Sequence, residues 1–306
     1  MKKKKELVKI LNNWQLYVMI LPALLYLILC VYKPMYGVQI AFRDFNFKDG
    51  ITGSEWVGFE QFQRLFNSYW FPIILKNTLT ISFLSVFVNF PFPIIFALMA
   101  NELRNEKAKR ILQTVSYAPH FISTVVICGM LLLFTSPSSG ILNYFIQALG
   151  GEAIPFMQNP ALFKWVYVLS GAWQGTGWSA IIYFSALAGV DQSLLEAAEI
   201  DGANAWQRFW NITLPCMTPI IFYNMLMSLV SSLQVFVPSF SLTSGGPGNS
   251  TTFLSYLIYR YAFTGSGKLG YASAIAAIFF VLIGLFTTIL FATSKFWVFY
   301  MGGDDK

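Results

Sequence analysis

Long apolar runs separated by short polar breaks dominate the chain. Lys9 and Lys33 bracket the first charge-free run, Ile10 to Tyr32, and Lys76 and Glu102 bracket the second. A third begins after Arg110, over Ile111 to Thr135, and Lys164 and Asp191 bracket a fourth. A fifth follows Arg208, over Leu214 to Phe240, and Lys268 and Lys295 bracket a sixth. Each run supplies the roughly 20 apolar residues a helix needs to cross a bilayer. The pattern predicts an all-α integral membrane protein with six transmembrane helices, organised as one domain over 1–306.

The breaks carry their own patterns. Phe59, Phe62, Leu65, Phe66, Tyr69 and Trp70 recur at helical spacing within the segment from Lys33 to Phe71. They predict an amphipathic helix, lying either at the membrane surface or as a lid on the bundle. Ser136-Pro137-Ser138-Ser139-Gly140 ends the third run, and a short helix over Ile141 to Leu149 is expected before Gly150-Gly151 breaks it. Leu242-Thr243-Ser244-Gly245-Gly246-Pro247-Gly248 demands a turn. Met1-Lys2-Lys3-Lys4-Lys5 resembles the start of a signal peptide, but the run after it is too long and lacks a small-residue cleavage site. An uncleaved first helix is expected, with Trp14 and Tyr17 at its inner interface.

Composition agrees with the pattern: 56% of the 306 residues are hydrophobic and 11% are charged, against about 25% charged in soluble domains. The net charge of +6 does not point to nucleic acid, because the basic residues gather at the ends of the runs. With the N-terminus inside, twelve of the twenty Lys and Arg residues fall in the shorter inner segments. The positive-inside bias therefore places both termini, and the break containing Glu196, in the cytoplasm.

Few residues offer chemistry. The spans contain essentially no Asp, Glu, Lys or Arg, which argues against ion-coupled pumps and proton relays. The single histidine, His120, is expected to be a hydrogen-bonded packing residue. Cys30, Cys128 and Cys216 lie in apolar runs with no metal or disulfide spacing. Gly265-Ser266-Gly267-Lys268 looks like part of a phosphate loop, but Ala262 and Leu269 occupy positions where the full motif requires Gly and Ser or Thr. No catalytic residue and no metal site is expected.

The break between the fourth and fifth runs is the strongest chemical lead. Glu196, Glu199, Asp201 and Arg208 form a charged island between apolar stretches. Glu196, Ala197, Ala198 and Glu199 suit a short helix. Gly202 permits a sharp turn beside Ala203, and Asn204 can cap a second short helix through Trp206, Arg208 and Phe209. Leu214-Pro215 then opens the next span. Such a knob fits a groove on a partner; an ordinary amphipathic connector has the same residue pattern.

The spacing of this island resembles a known motif: Glu196-Ala197-Ala198, three residues, Gly202, nine residues, then Ile212-Thr213-Leu214-Pro215. It is similar to the cytoplasmic loop by which bacterial ABC importer permeases dock on their ATPase subunit. Trp56-Val57-Gly58-Phe59-Glu60-Gln61-Phe62 resembles the family's Val-Gly-x-x-Asn-Phe segment, with Gln61 in place of Asn. Lys76-Asn77-Thr78, Asp201-Gly202-Ala203 and Leu242-Thr243-x-Gly245-Gly246-Pro247 resemble further family segments. Over the whole chain the resemblance is to the carbohydrate branch, the maltose-transporter membrane subunits and LplB-like polysaccharide permeases.

That resemblance implies a type I, maltose-permease-like bundle in the bacterial plasma membrane, with a family core over 72–295, a first span and outer segment over 1–71, and a docking loop over 190–213. It implies a non-catalytic permease subunit, paired with a second, non-identical permease and two ATPase subunits that bind ATP and Mg, and served by an extracellular sugar-binding protein. It implies ATPase docking by Glu196, Ala197, Ala198, Glu199, Asp201, Gly202, Ala203 and Arg208. By position it places oligosaccharide contacts at Gln174, Gly175 and Trp178 in the fourth span and at Ser228, Ser231 and Ser232 in the fifth; Trp173, Asn224 and Gln234 of the same stretches are further candidates. Small polar residues in spans also serve helix–helix packing. The rival readings are a secondary transporter or channel, which predicts intramembrane charges or an inverted repeat, and a membrane enzyme, which predicts clustered acid, base or metal ligands.

Overall fold

The computed structural model describes residues 13–234, 252–264 and 267–299. The turn expected at Leu242–Gly248 and the end of the fifth run, to Phe240, lie outside the described residues, as does the basic N-terminus. The chain divides into two compact units, Met1–Asn67 with Arg260–Ala277, and Ser68–Tyr259 with Ile278–Lys306.

The first unit opens with a continuous helical stretch, α1, Trp14–Phe42. Its backbone passes through a π-helical turn at Leu27–Tyr32 and a 3₁₀ turn at Tyr36–Phe42. Its apolar side chains point outward almost without exception, Ala41 being fully buried, as expected of a helix solvated by lipid. A two-residue hairpin follows, β1 (Arg43–Asp44) antiparallel to β2 (Glu55–Trp56). Arg43 fastens it: the guanidinium lies 5.3 Å from the Trp56 ring centroid and donates to the Ser54 carbonyl at 2.7 Å. Phe42 stacks on Trp56 and contacts Phe59 and Phe62. Helix α2, Glu60–Phe66, buries Phe62 and Leu65. The amphipathic helix expected across this segment is thus shorter than the aromatic spacing predicts, because Phe59 caps α2 while Trp70 opens the next helix.

The second unit is built on α3, Trp70–Asn101. It begins a turn before Lys76, whose exposed side chain carries its charge away from the apolar wall. Pro91 and Pro93 cannot donate to the carbonyls four residues back, at Phe87 and Asn89, and the helix is interrupted at Phe90. Next come α4 (Glu106–Phe121, its last turn 3₁₀) and α5 (Thr124–Phe134), which bend by 95° across Ile122 and Ser123. The third span was expected to be continuous over Ile111 to Thr135. Pro119 and the extended backbone at Ile122 break it, while Ser123 caps α5 by accepting from Val126 N. Helix α6, Ile141–Ala148, ends before Gly150 as expected.

Helix α7, Pro160–Ala188, leads to α8, Gln192–Ile200, and then to α9, Ala205–Leu233. Helices α10 (Leu254–Phe263) and α11 (Leu269–Ser294) complete the described chain. Among the described residues four helices are long and apolar enough to cross a membrane, and the bent α4–α5 pair makes a fifth. The core of the unit lies where α3, α7 and α9 meet, at Ala97, Ala180, Tyr183, Met217 and Ile221. Two buried hydroxyls tie the frame. Ser82 Oγ donates to the Ser232 carbonyl at 2.9 Å, joining α3 to α9. Thr78 Oγ1 donates to Ile74 O and accepts from Leu254 N, joining α3 to α10. At Gly177 a Cβ would collide with the Ser116 carbonyl, so glycine is what lets α7 pack directly on α4.

Candidate functional site

Two features of the second unit have the composition of a functional site, a cavity and an exposed knob. The cavity, of about 440 Å³, is walled by α3, α5, α7 and α9. Six of the residues expected to meet a sugar line it: Gln174 and Gly175 from α7, and Asn224, Ser228, Ser231 and Ser232 from α9. Their spacing explains the convergence. Positions 224, 228, 231 and 232 fall at intervals of four, three and one, the stripe of one helical face. Trp173, Trp178 and Gln234 are not among the lining residues.

The structure shows what two of these residues touch. Gln174 Nε2 donates at 3.1 Å to the Ile122 carbonyl, which the break between α4 and α5 leaves without a helical partner. Trp178 lies parallel to the His120 ring, centroids 4.5 Å apart, and edge-on to Phe121. Glutamine and tryptophan on α7 thus brace the last turn of α4 and the break that follows it. His120 packs by stacking, a contact its position in the sequence does not disclose.

Ser85 and Asn89 of α3 also line the cavity and were missed by sequence reasoning. They sit four residues apart in the second apolar run, so they share a face. That periodicity was the available signal. Asn89 Oδ1 is buried with no hydrogen-bond partner.

The knob lies between α8 and α9. Asp191 caps α8, its Oδ1 accepting from Ser193 N at 2.9 Å. The backbone N–H of Ser193, with help from its hydroxyl, holds the Asp191 carboxyl below the usual carboxylate range. At the far end Gly202 takes φ +82°. Ala203 N donates to Ala198 O and Gly202 N to Glu199 O, so a Schellman motif closes the helix. Asn204 then starts α9 with a capping box: Gln207 N donates to Asn204 Oδ1 and Asn204 N to Gln207 Oε1, both at 2.9 Å.

Glu196, Ala197, Glu199, Asp201 and Gly202 are exposed, while Ala198, Ala203 and Arg208 are half-buried. Large apolar groups stand out beside them, with Ile200 87% and Trp206 67% exposed. The second knob helix is not the separate short element expected from sequence. Ala205–Arg208 runs through a π-helical turn, Phe209–Thr213, into Leu214–Leu233 without a break. Pro215 removes one N–H from that stretch, and the wider turn just before it is a common response to such a loss.

Residues 89–295 match the family described as binding-protein-dependent transport system inner membrane component. The chain is 40% identical to the polygalacturonan/rhamnogalacturonan transport system permease protein YteP of Bacillus subtilis, over 76% of this chain and 73% of that one. It is 29% identical to the trehalose/maltose transport system permease protein MalF of Thermococcus litoralis, over 92% and 93%. Among solved structures it resembles a bacterial ABC transporter involved in the import of the acidic polysaccharide alginate (TM-score 0.86, 33% identity, 95% of this chain and 98% of that one). It also resembles the bacterial alginate ABC transporter in complex with an alginate pentasaccharide-bound periplasmic protein, with a TM-score of 0.85 and 33% identity over 94% and 96%.

Proposed function

The chain belongs to the binding-protein-dependent transport system inner membrane components, and from that premise we propose that it lines the path of an oligosaccharide through an ATP-driven importer. It is a non-catalytic, multi-pass component of the plasma membrane. The sugar reading is supported by the cavity, whose walls combine hydroxyl, amide and apolar groups, the mixture saccharide recognition requires, and by the named substrates of similar permeases.

In this reading six spans cross the bilayer with both termini in the cytoplasm, α7 and the bent α4–α5 pair each counting as one. A second, related permease completes the path, two ATPase subunits bind ATP and Mg, and an outer binding protein delivers the sugar. Gln174, Gly175, Asn224, Ser228, Ser231 and Ser232 face it. Glu196, Ala197, Ala198, Glu199, Asp201, Gly202, Ala203 and Arg208 form the surface on which an ATPase docks.

The continuity of α9 is the observation that carries this account. One 29-residue helix, Ala205–Leu233, bears Arg208 of the knob near one end and Ser228, Ser231 and Ser232 of the cavity near the other. Twenty residues separate Arg208 from Ser228, about 30 Å at 1.5 Å per residue. Displacement of the knob is therefore transmitted to the cavity as rigid-body motion of the helix. Two glycines inserted after Thr213 test this in the reconstituted importer. ATPase should still co-purify with the chain while sugar uptake is lost; uptake at the unmodified rate would contradict the lever.

A further inference from the structure

We propose that the cavity is selective for uncharged, hydroxyl-bearing saccharide units over carboxylated ones, with Asn89 as a specificity-determining acceptor. The inference rests on the reading of this cavity as the sugar site and adds the chemical class of the sugar.

The argument begins with charge. Among the described residues that line the cavity none is Asp, Glu, Lys, Arg or His. A uronate carboxylate entering it would lose water without gaining a cationic partner from the walls this chain supplies, an expensive transfer in a low-dielectric site. A neutral sugar does not incur that penalty.

The direction of the hydrogen bonds extends the argument. Ser170 Oγ donates to Tyr167 O, Thr176 Oγ1 to Ala172 O and Ser232 Oγ to Leu229 O, at 2.8, 2.6 and 2.9 Å. A hydroxyl has one proton, so these three offer a ligand only acceptor lone pairs. Asn224 and Gln174 each donate one amide N–H to a backbone carbonyl, of Ile220 and Ile122, and keep one N–H and the side-chain oxygen for a ligand. Asn89 Oδ1 is the extreme case, a buried acceptor with no donor. The three committed hydroxyls and Asn89 call for O–H donors. Sugar hydroxyls supply them; a carboxylate, an acceptor only, is repelled at those positions.

Asn89 also has a neighbour that leaves its amide little slack. A Cβ on Gly171 of α7 would approach Asn89 Nδ2 to 3.2 Å, so glycine there preserves the space in which the amide turns toward an arriving hydroxyl. The selectivity is opposite in sign to that needed for the acidic polysaccharide of the alginate importer.

A matched pair of probes tests this: β-1,4-mannotetraose and tetramannuronate, which differ in carrying CH₂OH or carboxylate at the same carbon. The membrane complex, purified through a tag on a Ser231→Cys chain and without its binding protein, is alkylated in the presence of each probe, and modification at position 231 is read by mass spectrometry. Mannotetraose should protect, and tetramannuronate should not at the same concentration. Asn89→Leu should raise the half-protecting concentration of mannotetraose about three- to tenfold, the worth of one hydrogen bond, whereas Asn89→Gln, which keeps an uncharged amide oxygen, should raise it less. Equal or better protection by tetramannuronate overturns the selectivity and leaves the sugar site standing. Protection by neither probe overturns the sugar site and the selectivity together. The wild-type comparison stands even if Asn89→Leu fails to assemble.

Discussion

Arg208 Nη1 donates to Glu199 Oε2 at 2.6 Å, tying the last turn of α8 to the first turn of α9 across the Gly202 bend. The pair is asymmetric: Arg208 is 26% exposed and Glu199 72%. An ion pair so open to water contributes little by itself, about 1 kcal/mol or less. The backbone geometry of the turn, with its Schellman motif and capping box, holds the knob. Glu199→Gln should therefore leave stability within about 1 kcal/mol of the unmodified chain. Thermal unfolding of the detergent-solubilised protein checks this.

The cap of α8 should respond to pH in a defined direction. Asp191 has a folded-state pKa below its ordinary value because its carboxylate accepts from Ser193. A group with a depressed folded pKa stabilises the fold above its unfolded pKa, and that contribution is lost as pH falls through the folded one. Protection of the Ser193 amide from hydrogen exchange should thus weaken on acidification below the ordinary carboxylate range. In Asp191→Asn, whose amide oxygen still caps but does not titrate there, protection should not vary over that window. Equal pH dependence in both proteins would assign the effect elsewhere.

Thr78 should be a stability hot spot despite lying far from the knob. It is fully buried, and its hydroxyl serves as donor to Ile74 O and acceptor for Leu254 N. Thr78→Val keeps the shape and strands the Leu254 N–H, at a cost of about 1–3 kcal/mol. Thr78→Ser retains both bonds and should be much milder. Thermal unfolding of the two variants separates them.

Gln174 and Trp178 brace the α4–α5 bend from α7. Gln174→Leu leaves the Ile122 carbonyl unpaired, and Trp178→Ala removes the stack on His120. Both should raise the mobility of a spin label at Ser123, and Trp178→Phe, which keeps an aromatic face, should do so less. Unchanged label mobility in both Gln174→Leu and Trp178→Ala would show that the bend is set by Pro119 and the Ser123 cap alone.

The sequence disclosed the spans well where apolar length and charge-free intervals set them, as in α3 and α11. It failed at Ile122, because a bend inside an apolar run leaves hydropathy unchanged; Pro119 was the only local mark. The knob was largely legible, since Asn204 and Gly202 act through local backbone chemistry. Its merger with the span was not, because Leu214-Pro215 reads as a helix start. The α9 wall of the cavity was legible from its polar stripe. The spacing of Ser85 and Asn89 puts them on one face, but the missing hydrogen-bond partner of Asn89 is set by packing and was not legible. Trp178 illustrates the converse: its type suits sugar stacking, and the structure adds what the sequence does not show, that one face of its ring is against His120.

The central claim is that the knob couples an ATPase to the sugar path, and Gly202 is where it is most exposed to test. A Cβ at 202 meets nothing within 4 Å, so substitution there acts through the left-handed backbone at φ +82°, a conformation that costs a side chain about 1–2 kcal/mol, and through the charge it adds. Gly202→Asp, and likewise Glu196→Lys, should leave membrane insertion unchanged, since both positions lie outside the spans. The decisive measurement is co-purification of the ATPase with the chain, together with ATP hydrolysis stimulated by sugar-loaded binding protein. The account predicts that Gly202→Asp reduces docking and abolishes the stimulation; normal levels of both would contradict it.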